Sequence, residues 1–132
     1  MNYSEHFTVA ELECPTSGKL VLAPGFIDNL EALRVAYNKP MAVTSGCRTD
    51  EHNKWLISRG YAASPRSFHL IGNLTYGTDT CAVDVKRPWG PHLHDLIRIA
   101  TSTGWTVGLA DTFIHLDRRG DYTDKPVTFY TY

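Results

Sequence analysis

The sequence predicts an α+β domain, a small and mostly antiparallel sheet with helices on one face. Two stretches repeat apolar residues at helical spacing, and two short ones alternate apolar with polar residues. No helix stands between two long buried strands, as a parallel β-α-β unit requires. The 132 residues fit one domain of ordinary size, so 1–132 reads as a single unit. A 42% hydrophobic share against 20% charged residues suffices for a core and excludes intrinsic disorder.

Residues 5–23 show little periodicity and several turn formers from Pro15 to Gly18, and are expected to wrap the core as an irregular arm. The first helix follows Pro24-Gly25. Phe26, Ile27, Leu30, Leu33 and Tyr37 share one face, and Asn38-Lys39-Pro40 ends the run because a residue before proline disfavours the helical region. Met41 to Ser45 is a short β-prone run. Asp50 is expected to cap a helix through Trp55, Leu56 and Arg59 that Gly60 closes, with Gly46, Cys47 and Arg48 in the loop before it. From Cys81 to Val85 the chain alternates, Val83 and Val85 facing one way and Ala82, Asp84 and Lys86 the other. Gly90-Pro91 opens a helix with Leu93, Leu96, Ile97 and Ala100 on one stripe and Gly104 at its C-terminal end. Phe113 to Asp117 alternates again, with Ile114 and Leu116 opposite Phe113, His115 and Asp117.

Charge and cysteine usage narrow the function. Thirteen Lys and Arg against fourteen Asp and Glu give a formal charge of −1, with no excess to hold nucleic acid or an anionic membrane, so neither is an expected partner. The opening MNYSEHFTVAELECP lacks the cationic start and the ~7–15-residue apolar stretch of a secretion signal. No apolar run approaches ~18 residues. A cytoplasmic, monomeric protein is the expectation. Cys14, Cys47 and Cys81 form no CxxC pair, which points to free thiols rather than a disulfide framework or a cysteine zinc site.

Two of the six histidines have surroundings that suggest chemistry. His69 lies in the loop SFHLIG, and His115 lies mid-strand on the face away from Ile114 and Leu116. Asp84 is likewise mid-strand, opposite Val83 and Val85. A carboxylate and an imidazole on one side of a small sheet, with a loop histidine nearby, are the ingredients of an open zinc site with three protein ligands. Spacing by itself fits many geometries. Each histidine also has a plain reading as a hydrogen-bonded structural residue, and Asp84 as a partner of Lys86 or Arg87.

The ordered series SGCRTDEHN (45–53), SFH (67–69), AVDV (82–85) and FIHLD (113–117) resembles the zinc peptidases of bacterial cell-wall stem peptides. These are the peptidase M15-like D-Ala-D-Ala carboxypeptidases and phage L-alanyl-D-glutamate endopeptidases, with the Hedgehog/DD-peptidase fold. FTVAELEC near the start and LEALR before SGCR extend the resemblance from residue 7 to about 120. It implies Zn²⁺ held by His69, Asp84 and His115, and Arg48 gripping a substrate carboxylate or carbonyl through parallel hydrogen bonds that a lysine cannot reproduce. Ser67 is placed to hydrogen-bond substrate or to cap its loop, and Arg48 also has a plain reading as a surface arginine paired with Asp50 or Glu51. The implied reaction is metal-assisted hydrolysis of a peptidoglycan stem peptide, with a carboxylate passing a proton to the leaving amine.

Two departures from the family pattern stand out. Fourteen residues separate His69 from Asp84 where the family usually has six, through the insertion NLTYGTDT at 73–80. That reads as a loop lengthened at the lip of the cleft, since doubling a loop costs only about 0.6 kcal/mol in closure entropy. Asp79 is a second possible ligand, but its turn-rich surroundings favour Asp84. The family's general base, an Asp or Glu three residues before the last histidine, is here Thr112. Asp111 is the expected base and Asp117 the runner-up, with a ligand-orienting role as the other reading of Asp117. Three other functions compete. Cys47 with His52 or His115 would make a thiol hydrolase, and His52-Asn53 a nuclease. A chain that kept its ligands and lost its base would be a non-catalytic, zinc-stabilised wall-binding or virion-structural domain.

Overall fold

The computed structural model describes all 132 residues. Five short strands form one open sheet: β1 (Val43–Ser45), β2 (Ala82–Lys86), β3 (Thr106–Leu109), β4 (Phe113–Asp117) and β5 (Phe129–Thr131). Their order is β1-β2-β4-β3-β5, and every pairing is antiparallel except β3 with β5. The α+β class and the mostly antiparallel sheet are those the residue pattern predicts. The helices are α1 (Val9–Leu12), α2 (Phe26–Tyr37), α3 (Asp50–Ser58), α4 (Pro91–Ser102) and α5 (Arg119–Tyr122). None is long and apolar enough to cross a membrane.

One apolar cluster joins the helices to the sheet. Phe26, Leu30 and Leu33 of α2 and Leu96 and Ala100 of α4 are buried with Val83, Val85, Val107, Ile114 and Leu116. Side chains alternate along a strand, so the register that sends Val83 and Val85 to the helices turns Asp84 to the opposite face. His115 pairs directly with Asp84 across β2 and β4 and therefore shares that face. One alternation thus builds the core on one side and places two ionisable groups together on the other.

Several local expectations need correction. The arm before residue 23 contains α1, nucleated by a capping box: the Thr8 hydroxyl accepts the Glu11 N–H at 3.1 Å, and the Glu11 carboxylate accepts the Thr8 N–H at 3.0 Å. The other Glu11 oxygen accepts the Val43 N–H at 3.0 Å and ties the arm to β1. The cap of α3 is Thr49, whose hydroxyl accepts the His52 N–H, so Asp50 is the first helical residue, where its charge favours the helix dipole. Helix α3 buries only Asn53 and leaves Trp55 and Ile57 exposed. Strands β3 and β5 add to the two that alternation marks.

Gly46 permits a close crossing of chain segments. A Cβ there would lie 2.6 Å from the Leu12 carbonyl oxygen, and the Cys47 N–H donates to that same oxygen at 2.8 Å.

Candidate metal centre and its cleft

His69 reaches the sheet from a loop, and backbone bonds fix that loop in place. The Arg48 N–H donates to the His69 carbonyl at 2.8 Å, the Ile71 N–H to the Arg48 carbonyl at 2.9 Å, and the Thr80 hydroxyl to the His69 carbonyl at 2.8 Å. The His69 ring then meets Asp84 and His115. Its Nε2 lies 3.1 Å from Asp84 Oδ1 and 3.3 Å from His115 Nδ1, and His115 Nδ1 lies 3.0 Å from the same oxygen. All three residues are buried.

The far nitrogens of the two rings decide what this triangle can hold. His69 Nδ1 donates to the Gly46 carbonyl at 2.7 Å, and His115 Nε2 donates to Asp117 Oδ2 at 2.7 Å. In a neutral ring the other nitrogen then carries a lone pair. With both rings neutral, two lone pairs and a carboxylate oxygen converge there, an arrangement that suits a cation, whether a metal ion or a proton on His115. Bonds of about 2.0–2.1 Å to a tetrahedral zinc separate its ligand atoms by about 3.3–3.4 Å, close to the spacings seen. The residues present fit a divalent metal, and a set of two nitrogens and one oxygen suits zinc among others.

The electrostatics agree. Burial by itself would raise Asp84, but His69 and His115 hold it well below the usual carboxylate range. Burial lowers both imidazoles. His69 does fall, whereas hydrogen bonds to Asp117 and Asp84 lift His115 to about 9, so without metal a proton on His115 fills the centre. Asp117 resists its burial and drops to about 2 because His115 and Arg119 both favour the carboxylate. Arg119 grips it in a fork, Nε to Oδ1 at 3.0 Å and Nη2 to Oδ2 at 2.8 Å.

Arg48 is buried, and its partner is neither Asp50 nor Glu51. Its Nε donates to Ser45 Oγ at 3.3 Å, Nη1 to Asn53 Oδ1 at 3.4 Å and Nη2 to Asp84 Oδ2 at 3.3 Å. A guanidinium has five N–H donors, so two remain for a ligand in the cleft. Asn53 also donates to the Ser64 carbonyl at 2.8 Å, joining α3 to the loop over the site. In the sequence Asn53 stands out only as the neighbour of His52 and Gly46 only as a loop residue; their roles in holding Arg48 and His69 emerge from the fold. Ser67 Oγ accepts the His69 N–H at 3.1 Å, a loop-capping role at the edge of the cleft.

The triangle opens into a cleft of about 400 Å³, walled also by Arg48, Phe68, Tyr76, Arg119, Tyr130 and Tyr132. Tyr76, from the inserted loop, stacks on Phe68 with ring centroids 4.9 Å apart. Asp111 is not brought to the triangle. It is exposed in the turn between β3 and β4, beyond the Lys86 to Phe113 end of the ladder, and lines a neighbouring depression with Arg87. Asp117 has His115 and Arg119 as partners, which makes it the holder of a ligand ring. Asp79 lies outside the cluster and closes its own loop by accepting the Gly72 N–H at 2.9 Å. Cys47 is fully buried with its thiol pushed up by burial, and His52 stacks on Trp55, so no thiol–imidazole pair forms.

An α+β sheet carrying a buried His-Asp-His cluster on its open face defines a candidate metallohydrolase. The family model of Peptidase M15 matches residues 5–117, and the chain belongs to that family of metal-dependent peptidases. No curated protein and no solved structure shows a significant match to it.

Proposed function

We propose that the protein is a zinc peptidase that hydrolyses peptide bonds in bacterial peptidoglycan stem peptides. The carrying observation is the triangle of His69 Nε2, Asp84 Oδ1 and His115 Nδ1, whose atoms lie 3.0–3.3 Å apart, close to the spacing of ligand atoms around one small cation. Bound there, zinc supplies Lewis acidity to a scissile carbonyl and an attacking water. The chain's own groups do the rest. The Gly46 carbonyl and Asp117 set the ring orientations, and the two free N–H groups of Arg48 hold a substrate carboxylate or carbonyl.

The cleft wall carries Arg66 and Arg119 besides Arg48, with Phe68 and Tyr76 between, which suits an acidic peptide. The cleft also meets two further depressions of about 490 and 230 Å³. It shares Ala62 and Tyr132 with the first, and Ala62, Arg48 and Asp84 with the second. Space on more than one side of the ligands favours an internal cut, endolysin-like, over removal of a terminal residue as in a D,D-carboxypeptidase. In a phage setting another protein would give it access to the wall.

One observation favours a second reading, the non-catalytic wall-binding or virion-structural domain. Asp84 is the only acid lining the cleft, and it is a candidate ligand. Digestion of purified muropeptides by the zinc-loaded protein, read by mass spectrometry with His115→Ala as control, separates the two. New peptide termini that the variant fails to produce support the peptidase. Intact muropeptides in the presence of bound zinc support the binder.

A further inference from the structure

Hydrolysis of an amide places negative charge on the carbonyl oxygen, and a preorganised donor aimed there is a large source of rate. The family match ends at Asp117, and beyond it α5 and β5 bring Arg119, Tyr130 and Tyr132 into the cleft wall. Strand β5 pairs with β3 so that Tyr130 meets Gly108, and Gly108 in turn pairs with His115 of β4. These three positions form one row across the sheet, and paired residues share a face.

Gly108 makes room for the phenol. A Cβ at 108 would fall 2.6 Å from Tyr130 Cζ and 2.8 Å from its hydroxyl oxygen. The Tyr130 side chain therefore lies back across Gly108 toward β4, with its ring centroid 6.3 Å from that of His115. The Tyr132 ring supports it at 5.6 Å, and the Arg119 guanidinium stands 6.0 Å from its centroid.

We propose that the Tyr130 hydroxyl is a catalytic residue of this site, donating a hydrogen bond to the scissile carbonyl oxygen as that oxygen becomes negative. The proposal rests on the peptidase reading above. Water adds to the carbonyl carbon and the π pair moves onto oxygen, where the phenol O–H meets it. When the pair returns, the C–N bond breaks and a proton from the attacking water ends on the amine. The phenol keeps its own proton throughout, so its role does not depend on which group serves as the base.

Tyr130→Phe keeps the ring over Gly108 and removes only the oxygen. With zinc content unchanged, kcat should fall about 100-fold while KM changes little, the usual size for loss of one such donor. Gly108→Ala, which displaces the ring but keeps the hydroxyl, should lower kcat as well. Affinity for a phosphinate dipeptide, a tetrahedral mimic of the charged state, gives a readout apart from turnover and should weaken about 100-fold in Tyr130→Phe. Wild-type kcat and wild-type phosphinate affinity in that variant overturn the proposal. If the unaltered protein cuts no wall peptide, the peptidase reading fails separately. The phosphinate comparison then still decides the role of Tyr130, because equal affinity in both proteins, or binding by neither, overturns it.

Discussion

Asp117 accepts the Nε2–H of His115 at 2.7 Å from two residues further along β4, and this bond selects which ring nitrogen faces Asp84 and His69. Residues two apart on a strand share a face, so the His-x-Asp spacing positions a ligand and its holder in one stroke. Arg119 fixes the holder in turn, and the resulting chain of charged hydrogen bonds sets the tautomer needed at the metal.

Asp117→Ala should therefore weaken zinc binding by about 10–100-fold, the usual cost of losing a group that orients a ligand. A competition titration against a zinc-chelating dye measures it. Unchanged affinity would show that the ring needs no such support.

The lifted His115 and the depressed Asp84 and Asp117 make the metal-free fold sensitive to pH in opposite directions. Burial opposes the charge on His115, but Asp117 and Asp84 raise it from 6.5 to about 9, so its contribution is fully present below pH 6.5 and is lost as pH rises through 9. The two carboxylates contribute above their ordinary range, and that stability is lost as pH falls. Thermal midpoints in chelator should decline from pH 6.5 to 9.5, whereas the zinc-loaded protein, with a cation in place of the proton, should hold its midpoint. Parallel curves for the two forms would contradict the assignment.

Gly46 links packing to the site. A Cβ at 46 would sit 2.6 Å from the Leu12 carbonyl oxygen and 2.8 Å from its Cα, and backbone atoms cannot swing aside as a side chain can. Gly46→Ala should cost about 1–3 kcal/mol by urea unfolding, in the range of other overpacked sites. It should also weaken zinc binding, because the Gly46 carbonyl anchors His69 Nδ1. Wild-type stability would show that the crossing has slack.

Much of this was legible in the residues, and the parts that were not have physical reasons. The alternations of β2 and β4 stand out because one face is core and the other polar. Strand β3 has no such signature, since Thr106, Val107 and Gly108 are all buried. Strand β5 is three residues, Phe129 and Thr131 exposed and Tyr130 half-buried, that become a strand only because β3 leaves a free edge. The Thr8 to Glu11 capping box was present in the sequence, but four residues are too few to show a helical period. His69, Asp84 and His115 were each ambiguous by spacing, and their motif order made them a set. Arg48 and Asp84 lie thirty-six residues apart, so local charges suggested Asp50 or Glu51 as partner instead. Asp111 looked suitable in a linear reading because it lies close before His115, but a hairpin turn carries it off the end of the ladder.

The most direct test is zinc analysis of the purified chain by X-ray absorption, alongside the variants His69→Ala, Asp84→Ala and His115→Ala. One zinc per chain, with two nitrogen ligands and at least one oxygen at about 2.0–2.1 Å, and loss of tight binding in every variant, is the predicted result. Zinc absent from the unaltered protein, or held equally well by all three variants, would contradict the account.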